Sequence, residues 1–154
     1  MISITKGPHD RVLELGCGEN PNPAADVLTD VRGLPHVHFT VDYEQFPWSI
    51  MDADFTCVLA QFVLEHITFQ NVPAFLSECF RILKPGGKFI LTVPNIEAQM
   101  RWALAHPEGW DGKPFFESAS VLIFGTRNYR ENAHLSFCTP AALTKLLTEA
   151  GFRD

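Results

Sequence analysis

The sequence contains no hydrophobic run that approaches the ~20 apolar residues of a membrane-spanning helix. Its N-terminus also lacks the basic-then-apolar pattern of a secretion signal. Basic residues are in the minority, because the 154 residues include 12 Lys and Arg against 18 Asp and Glu, a net charge of −6. Such a chain does not present the positive surface that nucleic-acid binding needs. These absences predict a cytoplasmic protein that neither enters a membrane nor binds nucleic acid.

Cysteine is scarce and scattered. The four cysteines are Cys17, Cys57, Cys79 and Cys138. They form no C-x-x-C pair, so their spacing does not indicate a zinc site. His36 and His38 lie two residues apart but have no obvious third ligand. We therefore expect reduced, mostly buried thiols and no metal site.

The composition excludes a disordered chain, since 46% of the residues are hydrophobic and only 19% are charged. The length fits one domain, and the sequence shows no internal repeat or low-complexity linker. We predict a single domain over residues 1–154, in which 95–138 is a long excursion over the end of the sheet.

Short apolar runs that stop at glycine, proline or aspartate predict five strands. These runs are 11–15, 27–30, 38–41, 55–60 and 88–93. Residues 16–25 contain two prolines and two glycines, which predict a loop or at most one helical turn. Strands and helices in this arrangement predict an α/β fold with a largely parallel sheet.

Two helices have clear boundaries. One covers 71–83, with Asn71 as a possible cap and the sequence Lys84-Pro85-Gly86-Gly87 as its end. The other starts at Pro140 after the cap residue Thr139 and ends before Gly151. Between them, 100–105 is a possible further helix and 118–124 is apolar.

Parallel sheets bind ligands at the carboxyl ends of their strands. The residues just past the predicted strands are Gly16-Cys17-Gly18, Asp30, Asp42-Tyr43, Gln61-Phe62 and Pro94-Asn95. Glycines in such a turn let the backbone approach a ligand closely. The third glycine of a dinucleotide-binding turn is absent, because Pro21 stands in that position, which counts against NAD or FAD.

The acidic strand ends favour a nucleoside ligand. A carboxylate such as Asp30 can accept hydrogen bonds from both hydroxyls of a ribose. Asp42 can accept from the amine of adenine, with the ring of Tyr43 beside the base. Either aspartate alone is also typical of a solvated turn, but several strand ends in series favour a binding site.

The sequence resembles the small class I S-adenosylmethionine (SAM)-dependent methyltransferases. The matching segments are Val12-Leu13-Glu14-Leu15-Gly16-Cys17-Gly18, Val63-Leu64-Glu65-His66-Ile67, Arg81-Ile82-Leu83-Lys84-Pro85-Gly86-Gly87-Lys88, Leu91-Thr92-Val93-Pro94, His134-Leu135-Ser136-Phe137 and Leu146-Leu147-Thr148-Glu149-Ala150-Gly151-Phe152. They occur in the family's order over residues 12–152. The resemblance implies a three-layer Rossmann-like fold, SAM as cofactor and S-adenosylhomocysteine (SAH) as product.

The resemblance also implies the cofactor-binding residues. They are Glu14, Gly16, Cys17, Gly18, Asp30, Val31, Asp42, Tyr43, Gln61 and Phe62. The glycine turn would hold the methionine part of SAM, with Glu14 supporting the turn. Asp30 would bind the ribose, while Asp42 and Tyr43 would bind the adenine.

The chain departs from the family pattern at three places, one of which is Thr56, where many relatives carry an Asp early in the fourth strand. Only 11 residues separate Gly18 from Asp30, so we expect the first helix to be reduced or lost. The chain ends at Asp154, where the resemblance would place a sixth strand, so the last two strands are expected to be missing. An open sheet edge invites pairing, and a homodimer through that edge is therefore an expectation.

The acceptor side is less determined. His66 and His134 are the candidate general bases for a small-molecule methyl acceptor, although either could instead order a neighbouring loop. The aromatic residues of 95–138 suggest a lid or, alternatively, a small satellite core; they are Trp102, Trp110, Phe115, Phe116 and Tyr129. Two rival functions are a SAM-binding subunit without catalysis that needs a partner, and a nicotinamide-dependent oxidoreductase.

Overall fold

Five parallel strands form a single sheet in the order β3-β2-β1-β4-β5. The computed structural model describes residues 2–109 and 112–153. The strands are β1 Val12–Leu15, β2 Val27–Asp30, β3 Phe39–Thr40, β4 Phe55–Gln61 and β5 Leu83–Thr92. The helices are α1 Val72–Ile82, α2 Ile96–Ala105, α3 Phe115–Phe124 and α4 Pro140–Glu149. The predicted α/β fold with a parallel sheet is confirmed.

The main core lies between the sheet and helices α1 and α4. Leu13 of β1 pairs with Val58 of β4, and both side chains are fully buried. Phe75 of α1 is also fully buried and belongs to the same cluster, against which Leu143 of α4 packs. Side chains alternate between the two faces of a strand, so this face takes every second residue of β1 and β4.

The other face of β1 and β4 buries Val12 and Leu59 completely. Here the segment between β1 and β2 contains no helix, as the short spacing predicted. Instead the loop lies across this face, and the amide of Asn22 donates to the carboxylate of Glu14 at 2.7 Å. The side chain of Asn22 donates to the carbonyl of Ile2 at 2.8 Å. A loop and the N-terminal segment thus cover the part of the sheet where the expected first helix is absent.

Two predicted helix boundaries need correction. Helix α1 ends at Ile82, because Leu83 already belongs to β5 and pairs with Phe55. The next pair is Cys57 with Lys88, so the intervening residues bulge out of the strand. Asn71 makes no side-chain cap bond. Its φ of −94° and ψ of −10° are helical, whereas a capping side chain normally needs an extended backbone.

The segment 95–138 contains more helix than the sequence indicated. Asn95 caps α2, since its side chain accepts from the amide of Ala98 at 3.2 Å. Helix α3 starts earlier than the apolar stretch 118–124. Thr139 caps α4 as predicted, accepting from the amide of Ala142 at 3.3 Å. Within residues 2–109 and 112–153, β3 and β5 are the two edge strands of the sheet.

The expectations about cysteines and membranes can be compared with the described residues. All four cysteines are free and buried, as predicted. Among the described helices, none combines the length and the hydropathy that crossing a membrane would require.

Candidate functional site

The glycine turn after β1 is held in place from three directions. The amide of Gly16 donates to the hydroxyl of Tyr43 at 2.7 Å, and the amide of Gly18 donates to the Asp30 carboxylate at 2.9 Å. The carbonyl of Gly18 lies 2.7 Å from the ring nitrogen Nε2 of His36. Gly16 and Gly18 both have a φ of +59°, which favours glycine.

Close packing adds a second requirement at one of these glycines. A Cβ at Gly16 would lie 2.6 Å from the Cγ2 atom of Val63. A Cβ at Gly18 would meet no atom within 4 Å. The turn therefore lies against the segment after β4 at Gly16 and faces open space at Gly18.

Asp30 is at the end of β2 and is only 4% exposed. One carboxylate oxygen accepts from Gly18, as described above, and the other accepts from the amide and the Nε of Arg32 at 2.9 and 3.2 Å. Asp42 follows β3 and is exposed. Its carboxylate accepts from the amide of Glu44 at 3.0 Å and from the side chain of Gln45 at 2.9 Å.

The packing of Tyr43 does not fit a ring laid against adenine. Its ring is buried and makes edge contacts with Trp48 and Phe75, with centroid distances of 5.6 and 6.1 Å. Thr29 Oγ1 donates to the Glu14 carbonyl, so the hydroxyl of Tyr43 donates to Thr29 at 3.0 Å while accepting from Gly16. Burial raises the pKa of this phenol well above its ordinary value. Tyr43 thus positions the glycine turn from within the core.

These strand ends surround a cleft of about 520 Å³. The predicted site residues that line it are Gly16, Gly18, Asp30, Val31, Asp42, Tyr43, Phe62 and His66. Val31 and Phe62 are 41% and 56% exposed, so they offer apolar surface to a planar ligand. Phe62 has a φ of +55°, an unusual conformation for a non-glycine residue that is found at ligand-binding sites.

Three predicted cofactor residues do not line this cleft among the described residues: Glu14, Cys17 and Gln61. Glu14 supports the loop instead, through its bond with Asn22, and burial raises the pKa of its carboxyl. Burial, with the nearby carboxylates of Asp30 and Glu14, raises the pKa of the Cys17 thiol to about 11. That thiol therefore stays protonated near neutral pH.

The opposite wall of the cleft comes from the segment 129–135. The guanidinium of Arg32 lies 4.4 Å from the centre of the Tyr129 ring, so this segment rests on the β2 end. Of the predicted lid aromatics among the described residues, only Tyr129 lines the cleft; Trp110 lies outside the described residues. Sequence reasoning missed Arg32, although it follows the end of β2 by only two residues.

The two candidate histidines lie side by side. His66 ends a 3₁₀ turn, Leu64–His66, and its ring centre is 5.3 Å from that of His134. His66 lines the cleft, whereas His134 lines a separate, smaller hollow. Burial and the neighbouring His66 lower the pKa of His134. The Nδ1 of His66 is 3.0 Å from the carbonyl oxygen of Ala133.

Glu65, which precedes His66 in the 3₁₀ turn, was not predicted as a site residue. It is 4% exposed, and its Oε2 atom is buried without a hydrogen-bond partner. Burial raises the pKa of this carboxyl to about 7. Its backbone carbonyl accepts from the amides of Leu135 and Ser136 at 2.7 and 3.1 Å. The 3₁₀ turn thereby fixes the segment that closes the cleft.

A parallel sheet with a nucleoside-sized cleft at the carboxyl ends of its strands defines a Rossmann-like α/β domain. The chain belongs to the methyltransferase-domain family Methyltransf_23, whose model matches residues 3–154. The family, together with relatives named as SAM-dependent methyltransferases, supports SAM as the cofactor of this chain.

Individual relatives agree with this assignment. A probable SAM-dependent methyltransferase of Mycolicibacterium smegmatis is 35% identical over 99 residues, covering 54% of this chain and 38% of its own. A ubiquinone biosynthesis O-methyltransferase of Bradyrhizobium is 32% identical over 107 residues, covering 55% of this chain and 40% of its own. The chain therefore spans about two fifths of the length of these relatives.

The fold has a counterpart among solved structures. A SAM-dependent methyltransferase of Thermotoga maritima, described as a possible histamine N-methyltransferase, superposes with a TM-score of 0.65 at 20% identity. The match covers 96% of this chain and 66% of that one. At this identity the likeness supports the fold alone.

Proposed function

We propose that this chain binds SAM in the described cleft and transfers its methyl group to a small-molecule acceptor. The observation that carries the proposal is the convergence of the glycine turn, Asp30 and Asp42 on one cleft. Asp30 is the ribose ligand and Asp42 faces the adenine amine. Val31 and Phe62 supply apolar surface for the base. Because the chain matches a methyltransferase-domain family, the alternative of a nicotinamide-dependent oxidoreductase is no longer favoured.

The acceptor side of the cleft favours an oxygen nucleophile. Because Nδ1 of His66 contacts a carbonyl oxygen, which can only accept, that nitrogen carries the proton and Nε2 has a free lone pair. In the transfer, an acceptor hydroxyl loses its proton to Nε2 and its oxygen attacks the methyl carbon. The S–C bond breaks, its electrons stay on sulfur, and neutral SAH leaves. The name of the Bradyrhizobium relative supports an oxygen acceptor.

A second candidate is a SAM-binding subunit that needs a partner for activity. It is favoured by the position of β5, which has no neighbour on its outer side among the described residues. A second copy or another chain pairing there would complete the sheet. This candidate predicts SAH binding without methyl transfer by the isolated chain.

Calorimetric titration with SAH, with NADH as the control ligand, tests the proposal. We expect micromolar binding of SAH alone. Asp30→Ala should weaken that binding by about 1–3 kcal/mol, the scale of losing charged hydrogen bonds. Asp52→Asn, at an exposed carboxylate paired with Arg81, is the matched control and should leave the affinity unchanged. Unchanged SAH affinity in folded Asp30→Ala would refute the ribose assignment.

Transfer itself is measured with methyl-labelled SAM and a panel of phenols, amines and carbon acids. Labelled product from a phenol supports the oxygen acceptor. SAH binding with no product from any acceptor, restored only in a mixed complex with a partner chain, would instead support the second candidate.

A further inference from the structure

We propose that Glu65, His66 and His134 form a binding site for a divalent transition-metal ion of the zinc type. No metal site was predicted from the scattered cysteines or from the pair His36 and His38, and His134 is distant from Glu65 and His66 along the chain. In the fold, one ligand atom from each of the three residues lies within 4.8 Å of the other two. Two imidazoles and one carboxylate are a donor set that zinc accepts.

The carboxyl group of Glu65 gives an independent reason to expect a cation. Glu65 is 4% exposed, and its Oε2 atom has no hydrogen-bond partner. A buried carboxylate without a partner is costly, whereas the same group is stabilised when it coordinates a metal. The described part of the chain places no Lys or Arg in an ion pair with this carboxylate.

Both histidines are oriented as metal ligands usually are. His66 Nδ1 donates to the carbonyl of Ala133, and the ring of His134 makes a hydrogen bond with the backbone of Leu122. In metal sites the ligating histidine commonly donates its second ring N–H to a carbonyl, which fixes the ring and its tautomer. Each ring thus retains one nitrogen with a free lone pair that can bind a metal ion.

The spacing requires only a small contraction. With Zn–N distances of roughly 2.0–2.1 Å and a tetrahedral arrangement, ligand atoms lie about 3.3 Å apart. Side-chain torsions can bring donors within 4.8 Å to that separation. Three protein ligands leave a fourth position open, the pattern of catalytic rather than structural zinc.

His66 lines the cleft, whereas Glu65 and His134 line the smaller hollow, so the cluster lies between these two spaces and an ion there can be reached from the cleft at His66. This step rests on the proposed function: a bound ion would polarise an acceptor oxygen and lower its pKa. With the ion bound, Nε2 of His66 is a ligand, and the acceptor proton leaves to solvent instead. Metal binding itself does not depend on the methyl-transfer proposal.

The test is a titration of the full chain, stripped with a chelator, with Co²⁺ as a coloured substitute for zinc. We expect one ion per chain, with the visible absorption of four- or five-coordinate cobalt, and displacement by Zn²⁺. Glu65→Gln and His134→Ala should each weaken binding by more than about 10-fold. His106→Ala is the control, since that ring contacts the carbonyl of Trp102 outside the cluster.

Each outcome decides the matter. The inference is overturned if the folded chain does not bind cobalt. It is also overturned if Glu65→Gln and His134→Ala bind cobalt with the affinity of the wild type. An intense sulfur-to-cobalt band would also overturn it, because a cysteine would then be the ligand. If His134→Ala is unfolded by circular dichroism, Glu65→Gln and a zinc-dependent rise in Tm of the wild type decide alone. SAH titration of the same samples separates this result from the proposed function.

Discussion

The two halves of the cleft are built differently. On the proposed cofactor side, residues 12–67, the amides of Gly16 and Gly18 donate to Tyr43 and Asp30, and the carboxylate of Asp42 accepts from the amide of Glu44. On the proposed acceptor side, residues 95–138, several large apolar side chains are exposed instead: Met100, Leu104, Phe116, Phe124 and Phe137. That side meets the cofactor side through the ring of Tyr129 and the backbone of 133–136.

The difference shows where rigidity resides. Adjacent parallel strands bring the proposed cofactor residues to one edge already hydrogen-bonded, which would limit the reorganisation that binding requires. The acceptor side depends on a few contacts between segments distant in sequence. Substitutions in the first half should therefore affect stability and SAH affinity together, and those in the second should affect SAH affinity weakly.

The largest effect is expected for Gly16→Ala. The positive φ costs about 1–2 kcal/mol for a residue with a Cβ, and the contact with Val63 at 2.6 Å adds an overpacking penalty of about 1–3 kcal/mol. Urea unfolding should report the sum, and SAH binding should be lost with it. Gly18→Ala has the same φ without the clash, so it should show only the first penalty. Equal destabilisation of both variants would contradict the packing argument.

Tyr43→Phe should have a smaller but clear effect. Removing the hydroxyl leaves the Gly16 amide without its partner, at a cost of about 1–3 kcal/mol in the free energy of unfolding. SAH affinity should fall as well, because the turn loses its anchor. Tyr129→Phe removes a hydroxyl from a 40% exposed ring and serves as control. Full SAH affinity in Tyr43→Phe would show that the turn holds its shape without this bond.

The cofactor side was the more predictable half, for a physical reason. Asp30 and Asp42 both line the cleft, and they could be predicted to lie together because a strand end is visible in the local sequence and parallel strand ends meet at one edge. Tyr43 was assigned a different role because its neighbours Trp48 and Phe75 bury the ring. Only tertiary packing decides whether an aromatic ring beside a strand end faces the ligand or the core.

The acceptor side was less predictable because its contacts are long-range. Arg32 beneath Tyr129, and Glu65 beside His134, join segments far apart in the chain. Helix α2 starts earlier than predicted because Asn95 caps it. This cap residue is a local signal that the sequence-based prediction overlooked. The absence of a helix between β1 and β2 was predicted correctly, since the length of this connection alone excluded a full helix.

A weaker perturbation asks how much the acceptor side contributes to cofactor binding. Tyr129→Ala removes the ring over which Arg32 lies, an interaction of about 0.5–1 kcal/mol at an exposed site. SAH affinity measured by calorimetry should fall by roughly that amount, and Tyr129→Phe should retain it. A loss as large as that of Asp30→Ala would mean that the two halves act as one unit.

The smallest effect concerns pH and the buried Glu14. Burial raises the pKa of this carboxyl in the folded chain above its unfolded value of 4.5. Deprotonation is therefore disfavoured on folding, and the wild type loses stability as pH rises from that value through the raised pKa. Glu14→Gln keeps an acceptor for the Asn22 amide but has no charge to bury.

The stability of Glu14→Gln relative to wild type should consequently increase between pH 4 and pH 8 in urea unfolding. Glu97→Gln, on the exposed surface of α2, corrects for the general loss of one carboxyl. A relative stability that stays flat across this range would mean that the loop over β1 admits enough water to solvate the charge. The loop would then be a looser cover for this face than the missing helix, and the rigidity of the cofactor side would come from the strand ends alone.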